Sequence, residues 1–100
     1  MKNIKDDMYL LKETININTY ERGVNTYNII EINKDGNEKA SCISIYTIEI
    51  DKLTTIFMGS NNSITKYFLT DSVKNIKFNF DQEYYELNFR DGRKMILSPL

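Results

Sequence analysis

Residues 78–97 read FNFDQEYYELNFRDGRKMIL. Their apolar side chains fall on alternate positions, and period two is the signature of a half-buried strand. Phe78, Phe80, Tyr85, Leu87 and Phe89 are therefore candidates for one buried face. A two-residue turn at Asp81-Gln82 sets Phe80 opposite Glu83, Phe78 opposite Tyr85 and Ile76 opposite Leu87. Lys77 then meets Glu86 on the other side, an opposite-charge cross-strand pair. Asp-Gln is a weak turn pair, so a longer loop stays open here. Arg90-Asp91-Gly92 marks its turn better. It suits a three-residue loop closed by Gly92 at positive φ. Phe89 then pairs with Arg93, Leu87 with Met95 and Tyr85 with Leu97. A two-residue Asp-Gly loop would shift the register by one and turn every side chain over. The reading is a three-strand meander over 73–80, 83–90 and 93–98.

Upstream, TYNIIEIN (26–33) and EKASCISIYTIEI (38–50) flank Lys34-Asp35-Gly36-Asn37. A loop ending at Gly36 sets Glu31 opposite Lys39 and Ile29 opposite Ser41. Ile43 and Ile45 share one phase, Ile48 and Ile50 the other. That switch predicts a bulge near Tyr46, or a strand covered on both sides. Leu53 to Met58 continues the β character. Residues 59–63, GSNNS, form the clearest loop. Residues 64–69 read as a strand or as a short helix capped by Ser63. In the first twenty residues Leu11, Ile15 and Ile17 share a phase against Lys12, Thr14, Asn16 and Asn18, which reads as an amphipathic strand ending near Tyr20. The expected fold is all-β and mainly antiparallel: a small curled sheet, barrel or sandwich of about six to eight strands with at most one short helix. One hundred residues suit one domain, with residues 1–8 expected to be flexible.

The composition excludes several chemistries. Histidine is absent, so a His-based triad or neutral-pH His base is impossible. One cysteine without histidine argues against structural zinc and rules out an intramolecular disulfide. Cys42 lies in a β run and reads as a small buried core thiol. The carboxylates fall in turns and on polar strand faces, without the alternating ligand loop of a calcium site. There is no GxGxxG, phosphate loop or HExxH. No cofactor, no metal and no catalytic residue is expected. The start, MKNIKDDMYLL, has charge but no apolar run of signal length, which makes the cytoplasm the expected location.

What remains is an aromatic excess: seven tyrosines and five phenylalanines, with no tryptophan. Tyr84 is predicted to point away from the core face of the meander, where a large rigid side chain anchors a partner at low ordering cost. Tyr46, Tyr67, Tyr27 and Tyr20 are similar candidates, and Lys77, Arg90 and Lys94 could border such an interface. Residues 73–97 hold Lys74, Lys77, Arg90, Arg93 and Lys94 against Asp81, Glu83, Glu86 and Asp91, five cations to four carboxylates. An interleaved face of that kind is a poor match to a phosphate backbone. The leading expectation is a non-enzymatic protein that binds another protein, with a homodimer as one form. Another form is a small phage or mobile-element inhibitor of a host enzyme, suggested only by small size, near-neutral charge and an Ile-, Asn- and Lys-rich composition typical of AT-rich coding DNA. The alternatives are an oligonucleotide-binding or Sm-like barrel that stacks bases on its tyrosines, and a pleckstrin-like domain that takes a lipid or small ligand.

Overall fold

The computed structural model describes residues 3–100. The chain is a mixed α/β fold in which one 17-residue helix packs against two antiparallel sheets. It runs α1 (Ile4–Tyr20), β1 (Thr26–Ile32), β2 (Glu38–Ser44), β3 (Thr47–Ile50), β4 (Thr54–Met58), β5 (Ile64–Leu69), β6 (Val73–Asn79), β7 (Tyr84–Phe89) and β8 (Lys94–Pro99). The five-stranded sheet has the order β2-β1-β8-β7-β6, and the three-stranded sheet β3-β4-β5. The chain passes between the sheets twice, from β2 into β3 and from β5 through the Thr70–Ser72 turn into β6.

Helix α1 overturns the all-β expectation. Ile4, Met8, Leu11, Ile15 and Asn18 recur at three- and four-residue steps, and all but the half-buried Ile4 are buried. The Asn3 side chain caps the start, accepting from the Lys5 N–H at 3.0 Å, and Asp6 and Asp7 complement the positive end of the helix dipole. Gly23, at φ +68°, ends the helix, and the Val24 N–H returns to the Asn18 carbonyl at 2.7 Å. The strand reading had a physical basis, because TININTY is rich in β-branched residues. Their helix cost is at most about 0.7 kcal/mol each. Burying Met8, Leu11 and Ile15 returns roughly 1.5–3 kcal/mol each, so packing wins. Ile17, placed by the strand reading on the core side, lies on the exposed side of the helix. Of the segment expected to be flexible, Met1 and Lys2 lie outside the described residues. Ile4 to Met8 begin α1, and Met8 is fully buried.

The C-terminal meander has the expected register. Phe78 faces Tyr85, Ile76 faces Leu87 and Lys77 faces Glu86. Leu87 faces Met95, and Tyr85 faces Leu97. Gly92, at φ +95°, closes the second loop with its N–H on the Phe89 carbonyl at 3.1 Å. The first loop is longer than two residues. Phe80 leaves the strand, and Glu83 takes the left-handed conformation that permits the return, at φ 54°. In the β1–β2 hairpin Glu31 faces Lys39 and Ile29 faces Ser41. The phase switch at Tyr46 is a change of sheet: β2 ends at Ser44, and β3 starts at Thr47 in the other sheet. Residues 64–69 form β5.

One core joins the three layers. Met8, Leu11 and Ile15 of α1 meet Tyr27, Ile29, Tyr85, Leu87 and Leu97 of the larger sheet and Ile48 and Phe57 of the smaller. Phe68 bridges the sheets, edge-on to Phe57 at 5.5 Å and to Phe89 at 5.4 Å between ring centres. Among the described residues no helix is long and apolar enough to cross a membrane.

Candidate interaction surfaces

The outward side of α1 is the first candidate. A helix on a globular surface normally turns a polar face to water. Here Tyr9, Leu10, Ile17 and Tyr20 are exposed, Tyr20 by 74%. Tyr9, Glu13, Ile17 and Tyr20 follow helical spacing and line a shallow groove of about 360 Å³. Ile17 also borders a second depression, shared with Phe80 of the β6–β7 loop. Phe80 stacks on Phe78 with ring centres 5.6 Å apart, yet stays exposed. The loop is held against the helix end by an ion pair between Arg22 and Glu83 at 2.6 Å. That pairing raises the Arg22 pKa further, first through the hydrogen bond to Glu83.

Beneath this loop lies a polar cluster. Asn18 is buried and donates to the Tyr27 hydroxyl at 3.0 Å and to the Tyr85 hydroxyl at 3.2 Å. Its side-chain oxygen accepts from Arg22 at 3.0 Å. Burial pushes the Tyr27 hydroxyl up to about 12, with the Asn18 hydrogen bond opposing. Among the described residues every buried side-chain nitrogen and oxygen has a hydrogen-bond partner. The cluster ties helix to sheet.

The sequence-based candidates divide among several places. Tyr84 is half-buried on the outer face of the five-stranded sheet, away from the core as expected. Lys77 joins it there, 3.9 Å from Glu86, and Lys94 lies opposite Asn88 on the same face. Ile30 and Ile96 pair beside them. Arg90 stands apart in a structural role: its Nε–H donates to the Asp71 carbonyl and its N–H to the Ser72 carbonyl, each at 2.8 Å. Tyr46 sits half-buried where the chain changes sheets, its N–H on the Met58 carbonyl and its own carbonyl accepting from Thr19 Oγ1, each at 2.7 Å. Tyr67 lies on β5 and is 70% exposed. Its neighbours Ile64 and Leu69 are 59% and 61% exposed. Tyr27, a candidate on the same grounds, is fully buried and is no surface anchor. Of the α1 face the sequence pointed to Tyr20 alone, because the strand interpretation consumed Ile17. The spacing of Tyr9, Glu13, Ile17 and Tyr20 was the signal that could have found it.

Cys42 is exposed, which overturns its reading as a core thiol. It pairs with Asn28 on the outer face of β2, the rim strand of the five-stranded sheet. Its Sγ lies 3.2 Å from the Asn28 Oδ1. A cation-lined groove runs between the β1–β2 hairpin and β5, with Lys39, Lys66, Arg93 and Lys94. Glu31 and Glu38 line the same groove, and Lys66 is ion-paired with Glu31 and Arg93 with Asp91. No tyrosine lines it. Among the described residues no cluster of three or more His, Cys, Asp or Glu could hold a metal ion. No family model, no curated protein and no solved structure matches the chain.

Proposed function

We propose that this chain is a non-enzymatic protein-binding module whose partner docks on the outer face of α1 and on Phe80. The observation that supports the reading is a helix apolar on both sides. Met8, Leu11 and Ile15 face the core, while Tyr9, Leu10, Ile17 and Tyr20 face water. Continuous exposed apolar surface on a small domain marks an interaction site more often than a lone exposed residue does. Tyrosine fits such a role, with large area and few torsions to freeze. The matching partner presents an apolar face of its own, as one side of an amphipathic helix does, with polar groups at the rim to meet Lys12, Glu13 and Glu21. The surface thiol of Cys42 fits a reducing compartment such as the cytoplasm.

The test is site-specific photo-crosslinking in native extract. A photoreactive phenylalanine replaces Tyr20, and the same group at Asp35, far along the chain in an exposed loop, serves as the control. The reading expects a discrete adduct from position 20, missing at position 35 and lost when Ile17→Lys is added. Adducts indifferent to Ile17→Lys, or none at all, reject it.

A further inference from the structure

Strand edges are points of self-association, and proteins guard them with charge, proline or cover. Among the described residues, three of the four strand edges are guarded. The β6 edge carries exposed Lys74 and Lys77, and the β2 edge carries exposed Glu38 and Lys39. The β3 edge has α1 packed against its strand. The fourth, β5, reads ITKYFL. It contains no proline, and its one charge, Lys66, is turned inward to Glu31. Its ladder with β4 pairs Ile64 with Met58, Tyr67 with Ile56 and Leu69 with Thr54. A register shift next to Met58 brings Ile64 onto the face of Tyr67 and Leu69. The three exposed apolar side chains of β5 therefore stand in one row on the outer face.

Hydrogen bonding shows where the backbone of β5 points. The Thr70 N–H donates to the Leu53 carbonyl at 2.8 Å. Bonded and non-bonded pairs alternate along an antiparallel ladder, so Phe68 and Lys66 bond to β4 while Leu69 and Tyr67 point away. The β4 side agrees: the Thr54 carbonyl accepts from Asp51 at 3.0 Å and the Met58 carbonyl from Tyr46 at 2.7 Å, both toward β3. The N–H and C=O of Tyr67 thus face the open edge.

We infer that β5 is a homodimerisation edge, at which a second copy of this chain adds its own β5 antiparallel. A two-fold axis beside Tyr67 lets that residue and the same residue of the second copy exchange both backbone hydrogen bonds. The two three-stranded sheets become one of six strands. The aromatic rings meet across the axis, an arrangement favourable for cross-strand pairs. This register sets Lys66 opposite Phe68 of the second copy, and Glu31 matches the Lys66 charge within each chain. This edge is independent of the α1 face, lies on a different element and responds to different substitutions.

The test is sedimentation equilibrium of the full chain from micromolar to millimolar concentration, with amide exchange read residue by residue. The wild type should rise from 11.8 kDa toward twice that mass. Tyr67→Pro removes the outward N–H and leaves the bonds to β4 in place, since proline is tolerated on an edge whose N–H faces solvent. Tyr67→Lys restores a guarding charge. Both variants should stay monomeric over the whole range with an unchanged circular dichroism spectrum, and in the wild type the Tyr67 amide should slow its exchange as concentration rises. A wild type that remains monomeric at millimolar concentration overturns the inference. So does a dimer that persists in the folded Tyr67→Lys variant, or one in which Tyr67 exchanges at a rate independent of concentration.

Discussion

The side-chain amide of Asn18 reaches the hydroxyl of Tyr85 across 67 positions of sequence, at 3.2 Å, and bonds the Tyr27 hydroxyl with its other hydrogen. One buried residue thus couples α1 to β1 and to β7. Replacing it by leucine keeps approximate volume and strands two hydroxyls. An unsatisfied buried polar group costs about 1–3 kcal/mol. Asn18→Leu should lose stability in that range in urea unfolding, whereas Glu13→Leu, on the exposed groove side of the same helix, should change it little.

Alkaline stability should report on Tyr27. Its hydroxyl rises from 10.0 to about 12 through burial. The neutral form is the one the fold favours. The stabilisation is complete below pH 10, where the unfolded chain is also neutral. It declines as pH climbs from 10 toward 12, because the unfolded chain releases its proton first. The loss is on the order of 2–3 kcal/mol, since each tenfold difference in proton affinity between folded and unfolded chain is worth about 1.4 kcal/mol. Tyr27→Phe should flatten much of that decline when unfolding is followed at pH 8, 10 and 11.5.

Leu11 and Ile17 separate helix from strand at the amino end. On α1, Leu11 is fully buried and Ile17 is 43% exposed. Leu11→Ala should cost about 2–5 kcal/mol, as large-to-small core changes do. Ile17→Ala should stay within about 0.5 kcal/mol, as surface changes do. Equal losses at the two positions would favour the strand, in which both share one face.

Gly92 holds the β7–β8 turn at φ +95°, where a Cβ is strained. Its added Cβ would lie 3.5 Å from Lys34 Cβ, ordinary contact, so the cost of Gly92→Ala is conformational and not steric crowding by the neighbour. A loss of roughly 1–3 kcal/mol is expected in chemical denaturation.

Cys42 should react with an aromatic disulfide reagent in native buffer at one equivalent per chain, because its edge strand leaves it open. A thiol that titrates only after denaturation would place β2 inside the core.

The hairpins were legible because their information is local. Phe78, Tyr85, Leu87, Met95 and Leu97 repeat at period two, and Gly92 supplies a conformation open to few other residues, so pattern and turn chemistry agree on one register. The loop after Asn79 kept that register while taking in Phe80, since pairing depends on which faces match and not on how the chain gets around. For residues 4–20, the chain alone determined which side chains are oily and left their period ambiguous: the step from Leu11 to Ile15 fits a strand and a helix equally. Burial of Met8, with half-buried Ile4 packed against the shared core, decided for the helix, and only the assembled core holds that information. The same reason hid Ile17 and the exposure of Cys42, and left Tyr20 and Tyr67 as candidates without a place in the fold. Whether Ile17, Tyr20, Cys42 and Tyr67 meet water depends on which strands end as rims and where α1 lands, and those are outcomes of long-range packing that no short window of residues contains.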